Sequence, residues 1–260
     1  ILAEGVEVIV GPVGPQNVRA AVEVSGAAGM LILPGEGADD ARGVAPSLED
    51  RGAALARHAL AAHAPTVIVL SPEGEYGKRV AAGVQGVVQE SASNALKLIR
   101  YPSSTTSFKA ILDPILSSLR GGAWLIVADQ ISRTELVLRQ LGREGLTIAK
   151  ANGAGVVVMA TGEGIAAASS VLEGVWVAPA AWETEDVRDA MFAAEYQGQE
   201  GVLPGDQAWL VWRALALAWQ GPQAADVPKS AEPRIYRVQG GQLVEHRPQQ
   251  AEAAIIRPPE

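Results

Sequence analysis

Residues 5 to 36, GVEVIVGPVGPQNVRAAVEVSGAAGMLILPGE, contain a β-branched apolar run that stops at Gly11-Pro12, a helical stretch, and a second apolar run that stops at Pro34-Gly35. The order reads as strand, crossover helix and strand. Neither run alternates apolar with polar residues, so both faces of each strand are expected to be covered, which is the condition of a parallel sheet in an α/β fold. In such sheets function gathers in the loops at the carboxyl ends of the strands.

The same punctuation recurs outward from this unit. TVIVLS at 66–71, KLIRYPS at 97–103, WLIVAD at 124–129, TIAK at 147–150, GVVVMATG at 155–162 and GVWVAP at 174–179 read as strands, most of them closing on Gly, Pro, Ser, Asp or Thr. Helices are expected over Lys78–Gln89, Ser107–Leu119, Thr134–Arg143, Val187–Tyr196 and Gln207–Trp219, the last two ending at Gly198 and Gly221, with a short Ala/Ser helix after Gly164. PQAADVPKSAEP at 222–233 reads as a linker, and IYRVQGGQLVEH at 235–246 as a hairpin turning on Gly-Gly. No solenoid-type repeat interrupts the α/β pattern.

Composition narrows the function classes. A chain of 260 residues can bury one large core or two smaller ones. With no cysteine there is neither a disulfide scaffold, a thiolate metal site nor a cysteine nucleophile. The net charge of -8 and the absence of a Lys/Arg run argue against nucleic acid, whose binding needs clustered cations. QAWLVWRALALAW at 207–219 is too short for a bilayer and carries Arg213, and no basic-then-apolar leader follows residue 1, so no membrane insertion is expected.

The order of phrases resembles the type I periplasmic binding proteins, in particular the branched-chain amino acid (Leu/Ile/Val-binding-like) branch. VEVIVGP and GMLILPG resemble units of the first lobe, and VIVLSPEGEYGKRVAAGVQ the opening of the second. SFKAILDPILSSLRGGAWLIVAD with TELVLRQLGREG, then MATGEGIAAASSVLEGVWVAP, GDQAWLVWRALALA and RVQGGQLVEH, resemble the units that follow. The resemblance implies two α/β lobes, each a mostly parallel sheet flanked by helices. The first would take residues 1–62 plus 183–222 and the second 63–182 plus 228–260, with crossings near Ala62–Pro65, Ala178–Glu183 and Gly221–Lys229. It implies a non-enzymatic solute receptor, without cofactor or metal, exported to the periplasm or cell envelope and serving an ABC-type transporter through a membrane permease. Closure about a hinge would trap the ligand between the lobes. Members of the family usually carry a further strand, helix and strand before the VEVIVGP strand, so an incomplete first lobe is expected.

What the resemblance implies for the pocket can be carried over by position. The first-lobe loops that hold a ligand carboxylate through hydroxyls and backbone N–H groups match Gly14, Pro15, Gln16 and Asn17, and Gly35, Glu36 and Gly37, where the hydroxyls are missing. Glu36 would repel a carboxylate. On the second lobe Tyr76 matches the aromatic that covers the ligand and Glu163 the acid that receives its ammonium, with Asp129 and Gln130 on the same wall. A small amino acid or similar zwitterion is the implied ligand. Plain structural roles stand beside these: Tyr76 seating a helix, Glu163 in a solvated turn, Asn17 as a helix cap, Glu36 facing water. Trp209, Trp212 and Trp219 recur at helical spacing and suit a buried face, whereas Trp182 suits a cleft or partner.

Two other readings compete. VVMATGEGIAAASSVLEGVWVAPAAW at 157–182 also resembles the binding-protein-like domain of penicillin-binding protein activators, which contact cell-wall synthases and would need no ligand. Gly162-Glu163-Gly164-Ile165-Ala166-Ala167 is a weak dinucleotide signature, with Glu183 as the candidate ribose-binding acid of an NAD-dependent enzyme. No hydrolase elbow, phosphate loop or metalloprotease motif is present, His58 and His63 fall on different sides of a helix, and Asp39 and Asp40 read as a solvated helix entry.

Overall fold

Apolar runs such as TVIVLS at 66–71 and WLIVAD at 124–129 need cover on both faces, and the chain supplies it with helices between them. The computed structural model describes residues 8–12, 17, 20, 21, 23, 30–37, 41–91, 95–150, 155–165, 170–182, 186–220 and 233–246. Within these, strands β1 (Val8–Val10), β2 (Met30–Leu33) and β3 (Arg42–Gly43) form a small parallel sheet in that order. A larger sheet runs β10-β9-β8-β7-β6-β4-β5, built from β4 (Thr66–Pro72), β5 (Ala95–Tyr101), β6 (Trp124–Val127), β7 (Val158–Ala160), β8 (Trp176–Val177), β9 (Tyr236–Gln239) and β10 (Gln242–Glu245). Its first five strands are parallel, and β9 and β10 close one edge antiparallel. The hairpin turns on Gly240 and Gly241, both at positive φ (58° and 78°), as the Gly-Gly pair implies.

Helices α1 (Leu48–Ala61) and α2 (Glu75–Glu90) cover one face of the large sheet, where Leu55, Ala59, Val80 and Val84 meet Val67, Val69 and Ile126. On the other face lie α3 (Lys109–Leu112), α4 (Leu116–Arg120) and α5 (Ile131–Arg143), with Leu112, Leu119, Val137 and Leu141 against Ile68, Leu70 and Leu125. The helix expected over Ser107–Leu119 is thus broken by a 3-10 turn at Asp113–Ile115, because Pro114 has no N–H to continue it. Burying each such leucine or valine contributes about 1.5–3 kcal/mol. Two glycines let α1 and α2 meet backbone to backbone: a Cβ on Gly52 would sit 2.3 Å from Val80 O, and one on Gly83 2.0 Å from Glu49 O.

Helix α6 (Val187–Glu200) ends at a left-handed Gly201, three residues beyond the expected Gly198, and α7 (Asp206–Ala218) packs Ala214 and Leu217 on Ile32 of the small sheet. TIAK forms no strand; Ile148 makes only an isolated bridge to Val156. Of the tryptophans, Trp209 is buried and Trp212 stacks on Phe192 at 4.8 Å, but Trp219, the capping residue after the helix, is 94% exposed and does not continue the buried stripe, which ends at Leu217. Trp182 packs, partly buried, against the core of the large sheet.

The structure also moves the expected first crossing. Residues 48–61 were assigned to the first lobe, yet α1 lies on the large sheet with its buried stripe Leu48, Leu55, Ala56 and Ala59. The chain leaves the small sheet after β3 and begins α1 at Ser47, whose hydroxyl accepts from Asp50 N at 3.0 Å. The change of sheet therefore precedes Leu48, and Ala62–Pro65 is only the turn from α1 into β4.

Candidate ligand cleft

Strands β4, β6 and β7 end side by side, and the residues that follow them converge. After β4, Gly74 at φ +131° turns the chain into α2, and a Cβ on Gly77 would sit 2.2 Å from Pro72 O, so the helix starts hard against its strand. This close start carries Tyr76 across the strand ends. Asp129 and Gln130 follow β6; Thr161 and Glu163 follow β7, with Gly162 and Gly164 at positive φ on either side of the acid. Gln130 and Glu163 are bridged, and Ile131 N donates to Glu163 O at 2.8 Å. Tyr76, Asp129, Gln130 and Glu163 thereby border one cleft of about 360 Å³, with Glu73, Glu75, Ser103 and Arg133 at its sides.

Glu163 is not an unpaired carboxylate. Arg51, 1% exposed on α1, grips it through both guanidinium ends, Nη1 to Oε1 and Nη2 to Oε2, and Arg51 also donates to the backbone carbonyls of Thr161 and Ala178. Burial opposes the guanidinium charge, but the charge and hydrogen bonds of Glu163 outweigh it and hold the Arg51 pKa above its ordinary value. The Tyr76 hydroxyl donates to Glu163 Oε2 and lies 2.6 Å from Thr161 Oγ1. Its pKa is raised by burial and by the Glu163 charge, so it stays a proton donor. Three of the four acceptor positions of the Glu163 carboxylate are occupied from within, while its side chain is 23% exposed.

Asp129, 6% exposed, accepts from Tyr101 Oη at 2.8 Å and from Gln130 N at 2.7 Å, and Arg133 Nε stands 3.4 Å away. Burial and then the bond to Asp129 raise the Tyr101 pKa. Arg133 in turn donates to the carbonyls of Thr105 and Ser103. The cleft is thus lined by four carboxylates, Glu73, Glu75, Asp129 and Glu163, against Arg133, with Arg51 behind. The surplus is negative.

None of the described residues of the expected first-lobe half is among those lining this cleft. Gly14, Pro15 and Gln16 lie outside the described residues, as do Asp39, Asp40 and Glu183; Asn17 is helical and exposed. Gly35 N donates to Leu33 O at 2.8 Å, so that N–H is not offered to a ligand, and Gly37 is exposed. Glu36, expected to face water or a ligand, instead pairs with Arg79 of α2 at 2.6 Å and accepts from Leu48 N at 3.0 Å. It caps α1 and ties the small sheet's loop to the large sheet's helices. A second tie runs through Asp206 at the start of α7, 2% exposed, which accepts from Gly164 N at 2.9 Å. Burial raises its pKa. That carboxylate also occupies the N–H of Gly164 that the dinucleotide signature would turn to a phosphate, and disfavours a second anion there.

Arg51, Thr161 and Asp206 were not singled out from sequence. Arg51 could have been found: Arg51, Leu55 and Ala59 repeat every four residues on one stripe, and Leu55 and Ala59 are fully buried. Among the described residues there is no group of His, Asp or Glu that could hold a metal ion, and no helix is long and apolar enough to cross a membrane.

No family model and no curated protein matches the sequence. Solved structures do match in fold. A leucine binding protein, LivK, from Thermotoga maritima superposes with a TM-score of 0.69 at 16% identity, over 94% of this chain and 80% of that one. An ABC transporter solute binding protein from R. palustris, solved with benzoate, gives 0.69 at 14% over 94% and 77%. An ABC transporter substrate-binding protein from Desulfitobacterium hafniense, in complex with Leu, gives 0.65 at 13% over 92% and 80%. The α/β fold of the type I periplasmic binding proteins is therefore the fold of this chain.

Proposed function

From the fold of the ABC-transporter solute-binding proteins, we propose that the chain is itself a non-enzymatic receptor that holds a small amino acid or similar zwitterion for a membrane permease. The observation that carries this reading is the convergence of Tyr76, Asp129, Gln130 and Glu163 on one acidic cleft at the strand ends. Tyr76 covers the solute, and the one open acceptor position of Glu163 receives an N–H of its ammonium. Because Arg51 already cancels the Glu163 charge, that contact is a hydrogen bond within a generally negative field rather than an isolated ion pair. The other end of the solute faces the small sheet.

The same Arg51 favours a second reading, a ligand-free interaction domain that kept the fold while a guanidinium from its own helix filled the ammonium seat. Calorimetric titration and a thermal-shift series with the standard amino acids separate the two. Ligand at 100 times its dissociation constant adds about 2.7 kcal/mol. For a chain of this size that is a rise of about 5–10 °C. A rise with one class of amino acid, abolished in Glu163→Gln, supports the receptor; a flat series from a cooperatively melting protein supports the interaction domain.

A further inference from the structure

At the opposite end of the large sheet, where β6 and β8 begin, lies a cavity of about 750 Å³, twice the size of the ligand cleft. Trp124 and Trp176, the first residues of those strands, form its walls with His58 of α1 and His246 beyond β10. The rings stand close and at angles to one another: His58 to Trp176 at 4.3 Å, His58 to His246 at 4.8 Å, Trp176 to His246 at 4.9 Å. Such a volume is within the roughly 300–1,000 Å³ of small-molecule sites, which are likewise apolar and aromatic with a few polar groups.

Charge decides what the cavity would take. Arg57 and Arg234 line it against a single carboxylate, Glu245, which stands 3.4 Å from Arg234. Arg57 is exposed and forms no ion pair among the described residues. Behind the wall, the Arg237 guanidinium lies 4.7 Å over the Trp176 ring. A cation would therefore meet two arginines on the lining, with a third behind it, although the chain as a whole carries -8. Burial first, then the charges of His246 and Arg237, lower the His58 pKa to about 4, so at neutral pH the imidazole is an uncharged wall. Two buried side-chain nitrogens among the described residues lack a hydrogen-bond partner, His58 Nε2 and Arg237 Nε, and both residues are packed against Trp176. Polar atoms left unpaired around an aromatic cavity mark it as something other than an optimised core.

We infer that this cavity is a second binding site, separate from the ligand cleft, for a planar aromatic carboxylate whose ring enters between Trp124, Trp176 and the two histidines and whose carboxylate meets Arg57 and Arg234. The ring gains offset and edge contacts with the walls, and the carboxylate a charge-assisted bond at the mouth. Arg57 and Ala61 are both exposed positions of α1, so substitutions there test the site without threatening the fold.

The probe is 2-naphthoate, followed by quenching of tryptophan emission on the full chain. Expected are saturable quenching, affinity at least tenfold lower in Arg57→Glu, loss of binding in Ala61→Trp, and at least tenfold weaker binding of the uncharged 2-naphthylmethanol. Lys97→Glu, an exposed site on β5 with the same charge change, leaves the affinity as it is. The inference is overturned by absence of saturable quenching up to millimolar naphthoate, by equal binding of the alcohol, or by binding that survives in both Arg57→Glu and Ala61→Trp.

Discussion

Replacing Arg51 by Met removes a guanidinium that is 1% exposed and serves three acceptors at once, Thr161 O, Ala178 O and the Glu163 carboxylate. Methionine fills much of the aliphatic space, so the loss is electrostatic and hydrogen-bonding rather than a large cavity. Breaking a buried pair by deleting one partner costs about 3–5 kcal/mol. The upper part of that range is reduced here because Glu163 is 23% exposed and water can enter the cleft to solvate it, whereas the two carbonyls lose their donor. We expect a loss of about 3 kcal/mol, a fall in Tm of roughly 6–12 °C for a chain this long. The reverse deletion, Glu163→Gln, leaves the positive charge in the drier place but keeps an amide acceptor and both carbonyl bonds, and the double variant removes both charges. A cycle over wild type, both single variants and the double variant, read by urea unfolding and by melting, should give a coupling of about 1–3 kcal/mol, the double costing less than the sum of the singles. A Tm change under 2 °C for Arg51→Met, or strict additivity, refutes the argument that this pair organises the strand ends.

Where α1 crosses α2, Gly83→Ala places a methyl 2.0 Å from Glu49 O and must push two backbones apart, whereas Gly86→Ala on the same helix has nothing within 4 Å. Gly83→Ala should therefore lower stability by more than 2 kcal/mol and Gly86→Ala raise it by about 0.5–1 kcal/mol in the same unfolding assay; equal effects would show that the two helices do not meet as described. His58 gives a pH signature. Its native pKa of about 4 lies below the ordinary 6.5, so as pH falls from 6.5 toward 4 the unfolded chain takes up a proton that the native one refuses, and stability drops. The shift sets a ceiling near 3 kcal/mol, and the ring's partial exposure brings the expectation to about 2 kcal/mol. Comparison of Tm at pH 7 and pH 4 should show wild type losing that much more than His58→Gln; equal losses would remove His58 as the cause.

Most of the fold was legible because the rules that governed it are local. β4 and β6 are uninterrupted apolar runs closed by a breaker, α7 begins at Asp206 and ends at Ala218 within one residue of expectation, and Gly240-Gly241 form the hairpin turn that their sequence demands. TIAK failed because four residues of moderate β propensity gain a strand only from neighbours, and none pairs with them beyond one bridge. Gly198 did not stop α6 because a helix ends where a left-handed residue captures its last carbonyls, which Gly201 does by donating to Gln197 O at 2.9 Å. In the cleft, Tyr76, Asp129, Gln130 and Glu163 stand together because each follows a strand end. The pairings of Arg51 and Glu36 were beyond reach by that route. What each does depends on residues 112 and 43 positions away in sequence, Glu163 and Arg79, and no local pattern carries that pairing.

Under the proposed receptor reading, those two long-range pairs bear directly on how the two sheets can move against each other. The small sheet is tied to the large one on one side by Glu36, which binds Arg79 and Leu48 N, and on the other by Asp206, which binds Gly164 N while its own N–H donates to Ile165 O at 3.0 Å. Gly164 is the residue next to Glu163, so the second tie ends on the cleft wall itself. A solute that pulls on Glu163 thus acts on the same loop that holds α7, and through α7 on the small sheet against which Ala214 and Leu217 pack. Arg51 is on the opposite side of that carboxylate and resists the pull, because displacing Glu163 leaves a guanidinium with 1% exposure without its counter-charge. Ligand can shift the arrangement only by as much as it binds one state better than the other. On the proposed reading, a solute would supply an N–H to the open acceptor of Glu163 and leave the carboxylate's pair with Arg51 in place.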